Sequence, residues 1–395
     1  MRFSLNPNLE KILNAPYPFD VVDANKKKAV EKFGKDFLID FGIGDPTDET
    51  PPMVRNECKR AVDERKCSGY PDTLGNFAFR HSVCGYMKKR FNVSLKEEEV
   101  VATYGAKYSS FRIPSIFIEC GKGEIALIPN PGYPPYTDGT LLAGGNPHYL
   151  NLTRENGFEP DIQSIEADVA KKAKIFYCNS PHSPTGMIYS KEKLKEIVDF
   201  CNDNNIVLVS DECYSDLYFE EVPKSILEIQ GADECAVVIN SLSKRSRMTG
   251  YAVGFFASKN PELLKPFASV SRKSVQGIPT FVQDAAVKAF LDEEHVESMK
   301  HDYKKRMETM LVGLKKIGCN PVVPKGTFFL WAEVPKNETP LAFSEHLLLE
   351  HAINCVPGNL ISHEFNGVNP GERFVRFAMV QSVERTQEAA IRMLQ

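Results

Sequence analysis

The stretch KIFYCNSPHSPTGMIYSKEKLKEIVDFCNDNNIVLVSDE, residues 174–212, decides how the rest of the chain is read. Lys174–Cys178 and Ile206–Ser210 are short apolar runs, rich in β-branched and aromatic residues and without period-2 polarity. A strand with that pattern is covered on both faces. Between them Leu194, Ile197, Val198 and Cys201 recur at helical spacing through Lys191–Asn205, with Ser190 where an N-cap belongs. Strand, crossover helix and strand make a βαβ unit, so the spacing predicts an α/β fold with a mostly parallel sheet.

Working outward, Glu99–Tyr104, Glu124–Pro129, Ala236–Asn240 and Val253–Ala257 read as further buried strands. From about residue 285 the pattern changes. A long helical stretch, Gln283–Leu314, is followed by TFFLWAEV (327–334), a helix over Leu341–His351 and a strand over Arg373–Met379. These predict a separate α+β lobe, and the first 45 or so residues are expected to join it as an extended arm. The expected division is 46–284 as a large α/β domain, with 1–45 and 285–395 forming the arm and a small α+β domain.

With 42% apolar residues over 395 positions, the chain can bury a core in both lobes. A net charge of −4 carries no basic excess and argues against nucleic acid as a partner. No apolar stretch approaches the roughly 20 residues that span a bilayer, so no membrane partner is expected. The N-terminal MRFSLNPNLEKILNAPYPF has neither an apolar leader core nor a small-residue cleavage site, and a cytoplasmic location is expected. None of the ten cysteines falls in a C-x-x-C or zinc-ligand spacing, which predicts reduced, mostly buried thiols and no metal.

Ligands of open α/β sheets gather at the carboxyl ends of the strands. Collected there are Asn130-Pro-Gly-Tyr133, Asn179 to Gly186, Asp211-Glu-Cys-Tyr214 and Ser241-Leu-Ser-Lys244. A carboxylate, tyrosines, serines and a lysine on one rim suit pyridoxal phosphate. That cofactor needs a lysine for its Schiff base and a carboxylate at its ring nitrogen. Its phosphate needs hydroxyl and amide donors, and Gly105-Ala106-Lys107 at the start of a helical pattern supplies a candidate terminus. The residues alone leave a second reading open, a rim lysine that simply binds a phosphate.

The order of FGIGDP (41–46), YPDTLGNFAFR (70–80), YGAK (104–107), NPGYPPY (130–136), SPHSPTG (180–186), DECYSDLY (211–218), SLSKRS (241–246), GTFFLW (326–331) and RFVRFA (373–378) resembles the class I aminotransferases of fold type I over nearly the whole chain. The resemblance implies that Lys244 holds the cofactor and, once freed, moves the proton of the reaction. It implies that Asp211 pairs with the pyridine nitrogen, Tyr214 with the phenolic oxygen, and that Tyr133 stacks on the ring. Gly105, Ala106, Lys107, Ser241 and Ser243 would surround the phosphate, with Tyr70 reaching the phosphate of a neighbouring subunit in a homodimer. Arg376 would clamp the substrate carboxylate, and Gly42, Ile43 and Gly44 would lie over the substrate. Each position also has a purely structural reading. Asp211 could cap a helix, Tyr133 and Tyr214 could be core aromatics, Arg376 could sit in an ion pair, and the glycines could merely turn the chain.

Two positions depart from the family pattern. Ser183 stands where an asparagine normally supports the cofactor's phenolic oxygen and the substrate carboxylate. Ala252, eight residues after Lys244, stands where an arginine normally pairs with the phosphate. Loss of such a contact costs about 2–4 kcal/mol, or roughly 30- to 1000-fold in affinity. Arg247 is the expected substitute for the missing charge. The departures keep open a non-catalytic homologue acting as a binding or regulatory protein. Among enzymes, DECYSDLY and SLSKRS are most similar to N-succinyl-L,L-diaminopimelate aminotransferase, with glutamate as amino donor in lysine formation. GAK (105–107) is similar to the L,L-diaminopimelate aminotransferases, and an aspartate or alanine aminotransferase ranks third.

Overall fold

The computed structural model describes residues 4–13, 20–67 and 69–395. Its centre is a seven-stranded sheet of Val100–Thr103 (β1), Ile125–Asn130 (β2), Asn146–Asn151 (β3), Ala173–Asn179 (β4), Val207–Asp211 (β5), Ala236–Ser241 (β6) and Gly254–Ala257 (β7). The spatial order is β1-β7-β6-β5-β4-β2-β3, and β7 alone runs against its neighbours. Helices cover both faces, which is why β4 to β6 carry uninterrupted apolar runs.

The crossover helix between β4 and β5 forms over Lys191–Asp203. Ser190 caps it by accepting from the Lys193 amide at 3.1 Å. Leu194, Ile197, Val198 and Cys201 are all buried against the sheet. Each aliphatic side chain contributes about 1.5–3 kcal/mol by leaving water. The same packing levels the strand ends, with Asn179 opposite Asp211 and Asp211 opposite Ile239.

A second, antiparallel sheet has the order Val356–Pro357, Phe374–Ala378, Phe329–Glu333 and Asn320–Pro321. Its core includes Met307, Met310, Phe328, Leu330, Leu347 and Phe377. Ile39–Asp40 pairs in parallel with Ile353–Asn354 and ties the incoming arm to this lobe.

Three expectations are corrected. The strand Asn146–Asn151 (NPHYLN) was not expected; it lies at the sheet edge, where partial exposure removes the apolar signal. The stretch expected as one helix over Gln283–Leu314 is two, Thr280–Leu291 and Glu294–Lys316, parted at Asp292 and Glu293. The arm does not join the small lobe throughout. Pro7–Leu13 packs on the helix Pro134–Leu142 beside the large sheet, whereas Asp20–Phe33 packs on Pro340–His351. All ten cysteines are free, and six of them are buried.

Candidate active site

The carboxyl ends of β4, β5 and β6 open into a cavity of about 420 Å³. Gly254 lets the strands close around it: a Cβ there would sit 2.2 Å from the Asn240 carbonyl oxygen and 3.0 Å from Gly105 Cα. Gly105, at φ +77°, starts the helix Gly105–Arg112, and a Cβ on it would crowd Ser241 Oγ at 3.2 Å. Leading amides of a helix lack intrahelical partners. Those of Ala106 and Lys107 therefore share one corner of the cavity with the hydroxyls of Ser241 and Ser243, which lie 2.9 Å apart.

At the opposite corner the buried Asp211 accepts from Tyr136 Oη at 2.7 Å and from the Cys213 amide at 3.2 Å. Burial pushes its carboxyl up, while the hydrogen bonds from Tyr136 and Cys213 pull it back. Tyr136 stacks on Tyr177 with ring centroids 4.4 Å apart, which fixes the donor. Asn179 donates to the Asp211 backbone carbonyl at 2.9 Å and accepts from the Ser183 amide at 2.8 Å. Its side chain is thus committed to holding the two strand ends together. Tyr214 is buried against Phe328 and Phe329, and burial raises its phenol so that it stays a hydrogen donor.

Lys244 is the third residue of the single helical turn Leu242–Arg245 and points across the cavity, with Nζ 2.6 Å from the Gly44 carbonyl oxygen. Burial pushes its amine below the usual lysine value, Cys213 and Asp45 oppose that shift, and Arg376 adds to it. Arg376 enters from the second lobe. Its Nη2 donates to the Gly42 carbonyl at 2.7 Å, its Cζ lies 4.8 Å from the Phe329 ring centroid, and its buried Nε has no partner among the described residues. Burial lowers it to about 10, so it remains a cation at neutral pH.

The cavity brings together Lys244, Asp211, Tyr214, Tyr133, Gly105, Ala106, Lys107, Ser183, Ser241, Ser243, Ile43, Gly44 and Arg376. Gly42 borders it through its bond to Arg376. Two expected residues lie elsewhere. Tyr70 is 85% exposed and stands outside the cavity of its own chain. Arg247 is a correction: its guanidinium turns away to Asp48 at 3.2 Å and Asp302 at 3.9 Å. Its backbone, at φ +51°, is held by Thr50 Oγ1. It therefore does not replace the charge missing at Ala252, which does line the cavity. The sequence reading placed Asn179 and Cys213 on the rim without a role and missed Tyr104, Tyr136, Thr249 and Phe329 as wall residues. Tyr136 was legible as the last residue of the NPGYPPY segment.

The donor set fits pyridoxal phosphate. A buried carboxylate, a phenol donor and a lysine face one another at the ring end. Hydroxyls and helix amides line the phosphate end around the space that Gly105 leaves open. The fold and this cavity define a pyridoxal-phosphate enzyme of fold type I.

Residues 37–392 match the family described as aminotransferase class I and II, and the chain belongs to it. It is a pyridoxal-phosphate-dependent transaminase, which sets aside the non-catalytic alternative. The chain is 37% identical over 380 residues to an LL-diaminopimelate aminotransferase of Aquifex aeolicus, covering 95% of each. Among solved structures it is similar to substrate-bound BacF from Bacillus subtilis, with a TM-score of 0.90 and 29% identity over 99% of this chain and 97% of that one. An aspartate aminotransferase of Thermotoga maritima gives a TM-score of 0.88 and 27% identity, covering 98% of both chains. The similar relatives are L,L-diaminopimelate aminotransferases, which stood second to the N-succinyl enzyme in the expected ranking.

Proposed function

We propose that the chain moves an amino group between L,L-diaminopimelate and the keto acid of glutamate, in the formation of lysine precursors. The observation that carries a carboxylate-bearing amino acid as substrate is Arg376. It is a half-buried cation whose buried Nε has no partner among the described residues, on the cavity wall with Lys244. A planar guanidinium there binds a carboxylate through two parallel bonds. The choice of diaminopimelate rests on the named relatives.

When bound, pyridoxal phosphate supplies an electron sink for the carbanion formed at the substrate Cα. Lys244 would hold it, and the burial that lowers its basicity favours the neutral amine, the form that takes up the Cα proton. Asp211, oriented by Tyr136, would keep a negative charge at the ring nitrogen. Tyr214 would donate to the phenolic oxygen and Tyr133 would cover the ring face. Ser183 is shorter than the usual asparagine and reaches less far toward that oxygen. Ala106, Lys107, Ser241 and Ser243 would bind the phosphate, with Tyr70 completing the site of a partner in a homodimer. Ile43 and Gly44 would close over the substrate. The expected division, 46–284 against 1–45 with 285–395, belongs to the same proposal except for Pro7–Leu13, which packs beside the large sheet, with Arg376 and Gly44 as the small unit's contribution to the site.

Glutamate formation from 2-oxoglutarate, followed with L,L-diaminopimelate, its N-succinyl derivative, aspartate and alanine as donors, tests the reading. The expected result is the highest kcat/KM with L,L-diaminopimelate. Faster turnover of the succinylated donor, or of aspartate, overturns the substrate assignment.

A further inference from the structure

Lys244 sits on a helical turn of four residues, too short to fix its own position. Asp211, the last residue of β5, and Tyr214, on the turn that follows, lie on a different segment. Just behind the cavity wall the two segments are joined by a buried ion cluster. Arg245, next to Lys244, is 2% exposed and places Nε 3.0 Å from Asp216 Oδ2, two residues beyond Tyr214. Asp216 is 4% exposed and also accepts from Tyr86 Oη at 2.8 Å and from Arg90 Nε at 3.1 Å. Arg90 Nη2 donates in addition to the Ser215 carbonyl at 2.8 Å.

The other face of Arg245 is equally committed. Its Nη1 donates to the Ala289 carbonyl at 2.6 Å and its Nη2 to Glu293 Oε1 at 3.0 Å. The next residue, Ser246, is bonded to His295 Nε2 at 2.9 Å. These partners lie at the junction of the helices Thr280–Leu291 and Glu294–Lys316, where the expected single helix is broken. The break thus turns a backbone carbonyl and a carboxylate toward the lysine-bearing turn.

A buried ion cluster of this kind stabilises a fold less than apolar packing of the same volume would. What it supplies is a fixed register between the groups it joins. The geometry points to Arg245 and Asp216 as positioning residues for the transamination: their ion pair sets the distance between Lys244 and the Asp211–Tyr214 turn. Neither touches the cavity. Their effect reaches the reaction through the main chain, one residue away from Lys244 and two from Tyr214. The inference rests on Lys244 being the cofactor lysine.

The test uses the holoenzyme and its visible absorbance band. In Asp216→Asn the turn loosens and the Lys244 nitrogen gains solvent, which favours its protonated form. The pH midpoint of the band is therefore expected to rise by about half a unit or more. In the same variant kcat should fall by about 100-fold, the scale of a 1 Å misplacement, with KM changed far less. Tyr86→Phe, which removes one bond to Asp216 and leaves the ion pair, is expected to move the midpoint in the same direction by less. Arg245→Lys retains the charge and should restore most of the wild-type midpoint relative to Arg245→Met. A midpoint unchanged in both Asp216→Asn and Tyr86→Phe, with only thermal stability lowered, overturns the positioning role. A wild-type protein with no visible band overturns the assignment of Lys244 as well.

Discussion

The two ends of the cavity are built to different standards. At the ring end, Asp211 has two hydrogen-bond donors, Tyr136 is locked by stacking, and Tyr214, Lys244 and Arg376 are all held in protein surroundings. At the phosphate end the donors are two serines and the first amides of a helix. The adjacent wall position is Ala252, and the one cation on the wall there, Lys107, is exposed. Charges fixed in a water-poor site act strongly on a reaction, whereas a solvated lysine contributes little to holding an anion. The contrast separates chemistry from retention: at the ring end the lysine, carboxylate and phenol are all present and only Ser183 is reduced, whereas the phosphate end lacks a fixed cation.

Removing the ring end should therefore have the largest effect. Lys244→Ala is expected to abolish the visible absorbance of the protein mixed with pyridoxal phosphate and to lower transamination by about 10⁴-fold, the upper range for a general acid–base group. Retention of the band in this variant would assign the cofactor to another amine. Arg376→Lys keeps the charge and loses the planar fork. Its kcat/KM should fall by about 100-fold, or ~2.7 kcal/mol, with the absorbance band intact. A fall of less than tenfold would place the substrate carboxylate elsewhere.

At the phosphate end the expected effects are smaller and run through affinity. Arg247→Ala removes a guanidinium that already belongs to Asp48, so cofactor affinity should change by less than about twofold. Thermal or chemical denaturation should show a loss of about 1–2 kcal/mol from the partly buried pair. A weaker cofactor complex in this variant would mean that Arg247 swings into the cavity, and the contrast between the two ends would shrink.

Much of this site was legible because its residues lie at the ends of buried strands, and those strands announce themselves as continuous apolar runs. Asp211 follows VLVS, Ser241 and Lys244 follow AVVIN, and the sheet levels their positions. Arg247 was read wrongly for a physical reason. Its partners, Asp48 and Asp302, are distant in sequence on either side and meet it only when the segment that follows the arm and the helix Glu294–Lys316 converge. The edge strand Asn146–Asn151 escaped because a half-exposed edge tolerates asparagine, proline and histidine. The helix break at Asp292 and Glu293 escaped because the polar run DEEH (292–295) holds neither proline nor glycine to mark it. Its consequence, the grip on Arg245, is visible only in three dimensions.

Titration of the purified protein with pyridoxal phosphate, wild type beside Ala252→Arg, tests the separation of chemistry from retention most directly. Ala252 already has the left-handed conformation, φ +48°, and faces the cavity, so a longer side chain there adds a guanidinium without a change of backbone region. The expected result is the same visible band in both proteins, with about 30-fold tighter binding in the variant, the low end for a charge-assisted contact. Equal affinity in the two proteins would contradict a reduced phosphate end, and the absence of a band in either would contradict a ring end that works through Lys244, Asp211 and Tyr214.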